Sequence, residues 1–229
     1  MTHRWLHLRL AGPLLAFGGV AIDHVGPTRN FPSASMLTGL LANALGWRRE
    51  EAERHQVLQD RMIFGALTAK EGRLLTDTQN AKLEKNDRGW TTWGEPEGRA
   101  GATYGSPHRR RRAYLADHDC RVALRLVPSN GLTLDDLAQA LERPARPLFI
   151  GRKPCLPAVP ILAGWLEGET ARAALATLGL SGPALWPVDD GDADDAAQAP
   201  EHRQEWADLR NWRSGLHGGA RIVVTGELP

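Results

Sequence analysis

Trp5-Leu6-His7-Leu8-Arg9-Leu10 alternates, with Leu6, Leu8 and Leu10 on one face and Trp5, His7 and Arg9 on the other. A period of two is the pattern of a half-buried β-strand, and this strand anchors the elements around it. After a Gly/Pro-rich stretch, Ser33 or Ser35 can cap a helix with Met36, Leu37, Leu40, Leu41, Ala44 and Leu45 on its apolar face, stopped by Gly46. A charged helical stretch over 50–59 comes next, then a strand over 62–69 that enters a turn marked by Gly65 and Gly72. Alternation returns over 120–127, where Cys120, Val122, Leu124 and Leu126 face one way and Arg121 and Arg125 the other. Thr133 caps a helix carrying Leu134, Leu137, Ala138 and Leu141 at helical spacing, which Pro144 ends, and the apolar run 159–165 supplies another strand.

The order strand, helix, strand, insertion, strand, helix, strand is that of an α+β, ferredoxin-like βαββαβ unit, the arrangement shared with RNA-recognition folds. Four-stranded sheets of this kind often bind RNA, although a fold by itself proves no function. Regular patterning vanishes between residues 78 and 112. The expected organisation is therefore a sheet domain over 1–77 and 113–166, an insertion over 78–112, and a C-terminal extension over 167–229. That extension offers a short helix over 170–178, an acidic loop and a closing strand over 221–225.

A chain of 229 residues can bury a substantial core without disulfides or metals. Its formal charge of +1 carries no global basic signature, so any nucleic-acid site must come from local clustering. Cys120 and Cys155 have no C-x-x-C spacing, which argues against a zinc ribbon, a redox motif or a secreted disulfide framework and fits a reducing cytoplasm. The apolar stretch 5–22 is interrupted by His7 and Arg9 and broken by Gly12, Pro13, Gly18 and Gly19, so it reads as neither a signal peptide nor a membrane span.

Local clustering is strongest in the insertion. Lys82, Lys85, Arg88, Arg99, Arg109, Arg110, Arg111 and Arg112 face only Glu84, Asp87, Glu95 and Glu97 as opposing charges, and Trp90, Trp93 and Tyr104 are interleaved with them. Cations neutralise phosphates and flat rings stack on unpaired bases, so the segment suits a protruding RNA-binding arm; its bland alternative is a solvated loop. The run Gly26-Pro27-Thr28-Arg29-Asn30-Phe31-Pro32-Ser33 leads into the first helix, whose free N–H groups and dipole could seat a phosphate with help from Arg29, although most such starts are merely well capped. Arg152 and Lys153 sit in a loop stiffened by Pro147, Pro154 and Pro157.

Asp189, Asp190, Asp192, Asp194 and Asp195 lack the glycine and distal glutamate of a calcium loop and read as a solvated linker. Gly-Leu-His-Gly-Gly over 215–219 lacks a P-loop lysine and reads as a turn. No metal, cofactor or catalytic motif is expected. One catalytic alternative remains, in which Tyr104, His108, Tyr114 and His118 beside the arginines cleave RNA without metal.

Arg9-Leu10-Ala11-Gly12-Pro13, Phe17-Gly18, Gly26-Pro27-Thr28 and Phe31-Pro32-Ser33 opening a Leu/Gly helix resemble the N-terminal half of the CasD family, the Cas-five-type subunits of type I-E CRISPR Cascade within the RAMP superfamily. Asp77 resembles the entry to that family's thumb. Arg112-Ala113-Tyr114-Leu115 with Cys120-Arg121-Val122-Ala123-Leu124 resembles its exit, and Ile150-Gly151-Arg152-Lys153-Pro154-Cys155 its Gly-Arg-rich loop. The resemblance implies a ferredoxin-like RNA-binding domain with an inserted β-hairpin thumb, acting without catalysis or cofactor. It implies crRNA as ligand, capped at its 5′ handle, with the backbone and large subunits of Cascade as neighbours and target DNA met through the complex. Carried over by position, the handle contacts are Arg29, Ser33, Ser35, Arg109, Arg110, Arg111, Arg112, Arg152 and Lys153, with Trp90 and Trp93 as stacking residues of the thumb. The chain departs from the family pattern in its thumb sequence and in the acidic insertion. A related type I-C subunit cleaves precursor crRNA without metal, but its tyrosine and lysine-histidine pattern has no clear match here.

Overall fold

The computed structural model describes residues 1–20, 23–82, 107–188 and 203–229. In chain order the elements are β1 (His3–Leu15), β2 (Val25–Gly26), α1 (Ala34–Ala44), α2 (Ala52–Arg61), β3 (Met62–Lys70), β4 (Arg73–Ala81) and β5 (His108–Leu126). They continue with α3 (Leu134–Glu142), β6 (Leu162–Gly168), α4 (Ala171–Ala176), β7 (Gly182–Pro187), β8 (Arg203–Trp206), β9 (Arg210–Asn211), β10 (Leu216–His217) and β11 (Arg221–Leu228). The result is a mixed α/β protein on one large sheet of order β6-β1-β5-β3-β7-β11-β8, antiparallel at every junction. β4 runs antiparallel and β2 parallel beside the N-terminal half of β5.

Helix ends follow the sequence chemistry. Ser33 caps α1, its Oγ accepting from the Met36 N–H at 3.1 Å, and Gly46 ends the turn with φ +77. Thr133 and Asp136 form a reciprocal capping box at α3, and Thr170 caps α4.

Leu6, Leu8 and Leu10 of β1, Val122 and Leu124 of β5 and Phe64 of β3 pack under Leu37 and Leu41 of α1 and Leu137 and Leu141 of α3. The opposite sheet face is not left to water, as alternation in 5–10 would have it. Trp5 is fully buried there with Leu67 and Ala123 beneath Ala171, Ala174 and Leu175 of α4, and the Arg125 guanidinium lies 5.1 Å from the Trp5 ring centroid. Arg9 and Arg121 on that face share the Asp119 carboxylate at 2.7 and 3.1 Å. Burying the apolar stems and pairing the charged heads lets polar-looking positions enter an interior.

Three stretches differ from the sequence reading. Cys120–Leu126 is only the end of a 19-residue strand that begins at His108, and β4 pairs with its first half, so the edges of the 78–112 stretch are regular. β4 was hidden because almost every side chain in it is exposed, including Leu74 and Leu75, and a strand wet on both faces has no hydrophobic period. β7 was hidden for the opposite reason: Ala184, Leu185 and Trp186 are buried in succession, facing two different cores. The strand expected over 159–165 lies at Leu162–Gly168.

Candidate nucleic-acid interface

The N-terminus of α1 offers amides, as the sequence suggests, but the protein fills them itself. Asp208, with a fully buried side chain, accepts the Ala34 N–H through Oδ2 at 3.0 Å, and its backbone carbonyl accepts the Ser35 N–H at 3.1 Å. Arg221 donates to the same carboxylate at 3.0 Å, with its guanidinium carbon 3.9 Å from the Phe64 ring centroid. The dipole's positive end is thus matched by an internal anion. Arg29 donates to the Ala207 carbonyl at 2.8 Å and lies over the Trp206 ring. The Ser33 and Ser35 hydroxyls meet at 3.2 Å.

The loop that begins at Ile150 reaches the same place from the other side. Gly151 has φ +87, and a Cβ built on it would stand 1.6 Å from the Ala16 carbonyl oxygen, so only glycine fits the approach. The turn aims Arg152 at three carbonyls, Ala113 at 2.8 Å, Gly26 at 2.8 Å and Pro27 at 3.1 Å, with its guanidinium over the Tyr114 ring. Arg112 is its neighbour: a Cβ on Gly26 would lie 2.8 Å from Arg112 Nη1 and 2.9 Å from Arg152 Nη2. Lys153 is exposed at the turn.

These groups line a groove of about 360 Å³ floored by Met36, Gly39 and Leu40 of α1, with Ser33, Ser35, Arg112 and Arg152 joined by Arg210, Trp212 and His217. Among the described residues, no carboxylate side chain lines it. A second hollow of about 200 Å³ shares Gly19, Ser33, Ser35 and His217 with it and carries Arg29, Glu205 and Asp208. Guanidinium groups without counter-charges in a concave surface attract anions, and phosphates above all.

Arg109, Arg110, Arg111 and Arg112 stand on β5, not in an irregular arm, so the pleat divides them. Arg110 and Arg112 share the face of Tyr114 and hence of Arg152, while Arg109 and Arg111 point the other way. Arg110 donates to the Asp23 carbonyl at 2.8 Å, and Asp77 stands opposite Arg112 in the register. Trp90, Trp93 and Tyr104 and the acidic run from Asp189 to Asp195 lie outside the described residues.

The family described as "CRISPR-associated protein (Cas_Cas5)" matches residues 5–224. The chain belongs to this Cas5 family. It is 30% identical to the "CRISPR system Cascade subunit CasD" of Escherichia coli (strain K12) over 171 residues, 75% of each chain. Its fold is similar to a solved chain of a "CRISPR RNA-guided surveillance complex", at TM-score 0.68 and 19% identity over 98% of this chain and 90% of that one. It is also similar to one titled "Crystal structure of Cas protein", at TM-score 0.62 and 22% identity over 100% and 95%.

In this Cas5 chain the tyrosine-histidine set is not assembled among the described residues. Tyr114 is buried beneath Arg152, and His118 is buried against Phe17 with its Nδ1 accepting the Gly72 N–H at 3.1 Å. Burial lowers the His118 pKa. His108 is exposed, about 20 Å up the strand from Tyr114. No group of His, Cys, Asp and Glu among the described residues suits a metal ion. Burial pushes both the Cys120 and the Cys155 thiol pKa up, away from reactivity. No described helix is long and apolar enough to cross a membrane.

Sequence reasoning missed Asp208, Arg210, Trp212 and His217. The cation-aromatic run Arg210-Asn211-Trp212-Arg213 was the available signal.

Proposed function

We propose that this Cas5-family chain is a non-catalytic, crRNA-binding subunit of a type I-E Cascade complex, which caps the 5′ handle of the crRNA and bridges backbone and large subunits in antiviral defence. The carrying observation is the groove in which Arg112, Arg152, Ser33 and Ser35, from three distant parts of the chain, converge with no described carboxylate among them. Membership of the Cas5 family and likeness to a Cascade subunit over three quarters of the chain support an RNA ligand for that groove. Phosphate neutralisation and a fixed concave shape suit holding an RNA end, and neither requires a chemical step.

The same reading covers the architecture. The order β6-β1-β5-β3, with α1 and α3 on one face, supports reading 1–77 and 113–166 as a ferredoxin-like βαββαβ core, its last strand β6 running on to Gly168. β4 and β5 pair out to Ala81 and His108, which supports an inserted thumb that carries Trp90 and Trp93 and wedges against the guide. Residues 167–229 form the C-terminal extension, and the assembly works in the cytoplasm, meeting target DNA through the complex.

Incubating the purified chain with labelled repeat-derived RNA in EDTA tests the reading. Retarded, uncut RNA, with preference for the handle over a scrambled sequence, is the expected result. Site-specific cuts abolished by His108→Ala would replace it with metal-independent processing of precursor crRNA.

A further inference from the structure

Gln59 is buried on α2, and both ends of its amide are spent on one short hairpin. Its Nε2 donates to the Arg210 carbonyl at 2.9 Å, while its Oε1 accepts the Arg210 N–H at 3.1 Å and the Trp212 indole N–H at 3.1 Å. Gln56 accepts the Trp212 backbone N–H at 3.0 Å, and Glu53 holds Arg213 at 2.8 and 2.9 Å. His55 stacks on the Trp212 ring at 4.8 Å. So β9 and the turn that follows it are pinned to α2 by three of its polar side chains, and β10 pairs with β9.

What this placement presents is positive. Arg210 lies 5.0 Å over the Trp212 ring and donates to the Gly215 carbonyl at 2.9 Å, but its buried Nε has no hydrogen-bond partner and no carboxylate among the described residues pairs with it. Arg210 and His217 both line the groove that holds Arg112 and Arg152. A chain that fixes an arginine without a counter-charge so firmly in a concave surface has built an anion contact, since the same hydrogen bonds would serve a neutral residue as well.

We propose that the β9–β10 hairpin is the second wall of the RNA groove, with Arg210 and His217 gripping a backbone phosphate across from Arg112 and Arg152. This rests on the RNA-binding reading above. Trp212, in contact with both His55 and Arg210, is a positioning residue for the hairpin.

The wall should also couple binding to protons. Partial burial first, and then the Arg210 charge, lower the His217 pKa and so favour its neutral imidazole before an anion enters. Arg49 adds positive charge beside Arg210; Arg112 and Arg152 line the same groove as His217, and Arg29, Glu205 and Asp208 line the adjoining hollow. Asp208 is already neutralised by Arg221, which leaves cations dominant around the imidazole. An entering phosphate reverses that balance and draws a proton onto the ring.

Fluorescence anisotropy of the full chain with fluorescein-labelled single-stranded repeat RNA, across salt and pH, tests the wall. Wild-type affinity should rise as pH falls from about 7.5 to about 5.5, and His217→Gln should remove most of that rise. Arg210→Gln should weaken binding about ten-fold and lower the salt slope by about one. Because Arg210 also braces the hairpin, His217→Gln, with urea unfolding unchanged, becomes the deciding variant if Arg210→Gln loosens the fold. If Arg112→Ala weakens binding while both hairpin variants keep wild-type affinity and pH profile, the hairpin wall is wrong and the RNA reading stands. If wild type ignores the RNA altogether, both fall.

Discussion

The Asp208 carboxylate lies 3.0 Å from the Ala34 N–H and 3.0 Å from Arg221 Nε, so a single buried anion ties the first strong helix to the last strand of the sheet. Removing it leaves Arg221 buried without its counter-charge and reopens the helix end. Asp208→Ala should cost about 3–5 kcal/mol, read as a lower urea midpoint. A loss under about 1 kcal/mol would mean that Arg221 finds solvent.

The pleat of β5 makes the four consecutive arginines unequal. Arg112→Ala should weaken repeat-RNA binding about ten-fold and reduce the salt slope by about one, whereas Arg109→Ala and Arg111→Ala, on the far face, should change affinity far less. Equal effects from all four would mean that RNA crosses both faces of the β4–β5 hairpin.

His7 ties stability to pH. Burial chiefly, with help from the charges of Arg121 and Arg9 against the opposing pull of Asp119, lowers its pKa from 6.5 to about 4. Between those values the unfolded chain takes up a proton that the folded chain refuses, so stability is intact above pH 6.5 and declines as pH falls toward about 4. Discounted for solvent screening, the loss is on the order of 2 kcal/mol. His118, lowered by burial in the same direction, adds to it. Urea titrations at several pH values should show a shallower decline in His7→Phe; an unchanged decline would assign the effect elsewhere.

Gly151 is the tightest approach at the groove. A methyl there meets the Ala16 carbonyl and a positive φ together, so Gly151→Ala should destabilise by about 3 kcal/mol or more and displace Arg152 with it. Thermal unfolding should report the first effect and RNA anisotropy the second. A variant with wild-type melting would mean that the loop can retreat without loss.

The sheet's first half was legible because Leu6, Leu8, Leu10, Val122 and Leu124 alternate toward one core, and α1 and α3 because Ser33 and Thr133 cap periodic apolar faces. β4 left no signal because pairing with β5 asks only for backbone, and β7 because burial on both faces erases alternation. At the groove, Arg152 stood out as a cation in a proline-stiffened loop and Arg112 as the end of an arginine run. Asp208 could not be singled out, since one aspartate in Trp206-Ala207-Asp208-Leu209 looks like any surface turn. Its role depends on meeting Ala34, far away in sequence, and such meetings are what a one-dimensional reading lacks.

β11 lies between β7 and β8, although it is the last strand in chain order. That side of the sheet can therefore close, and Arg221 can neutralise Asp208, only once the chain's last strand has been made. Fragments that end before Arg221 leave Asp208 without its counter-charge, and the staple on α1 is unfinished until the last strand is made.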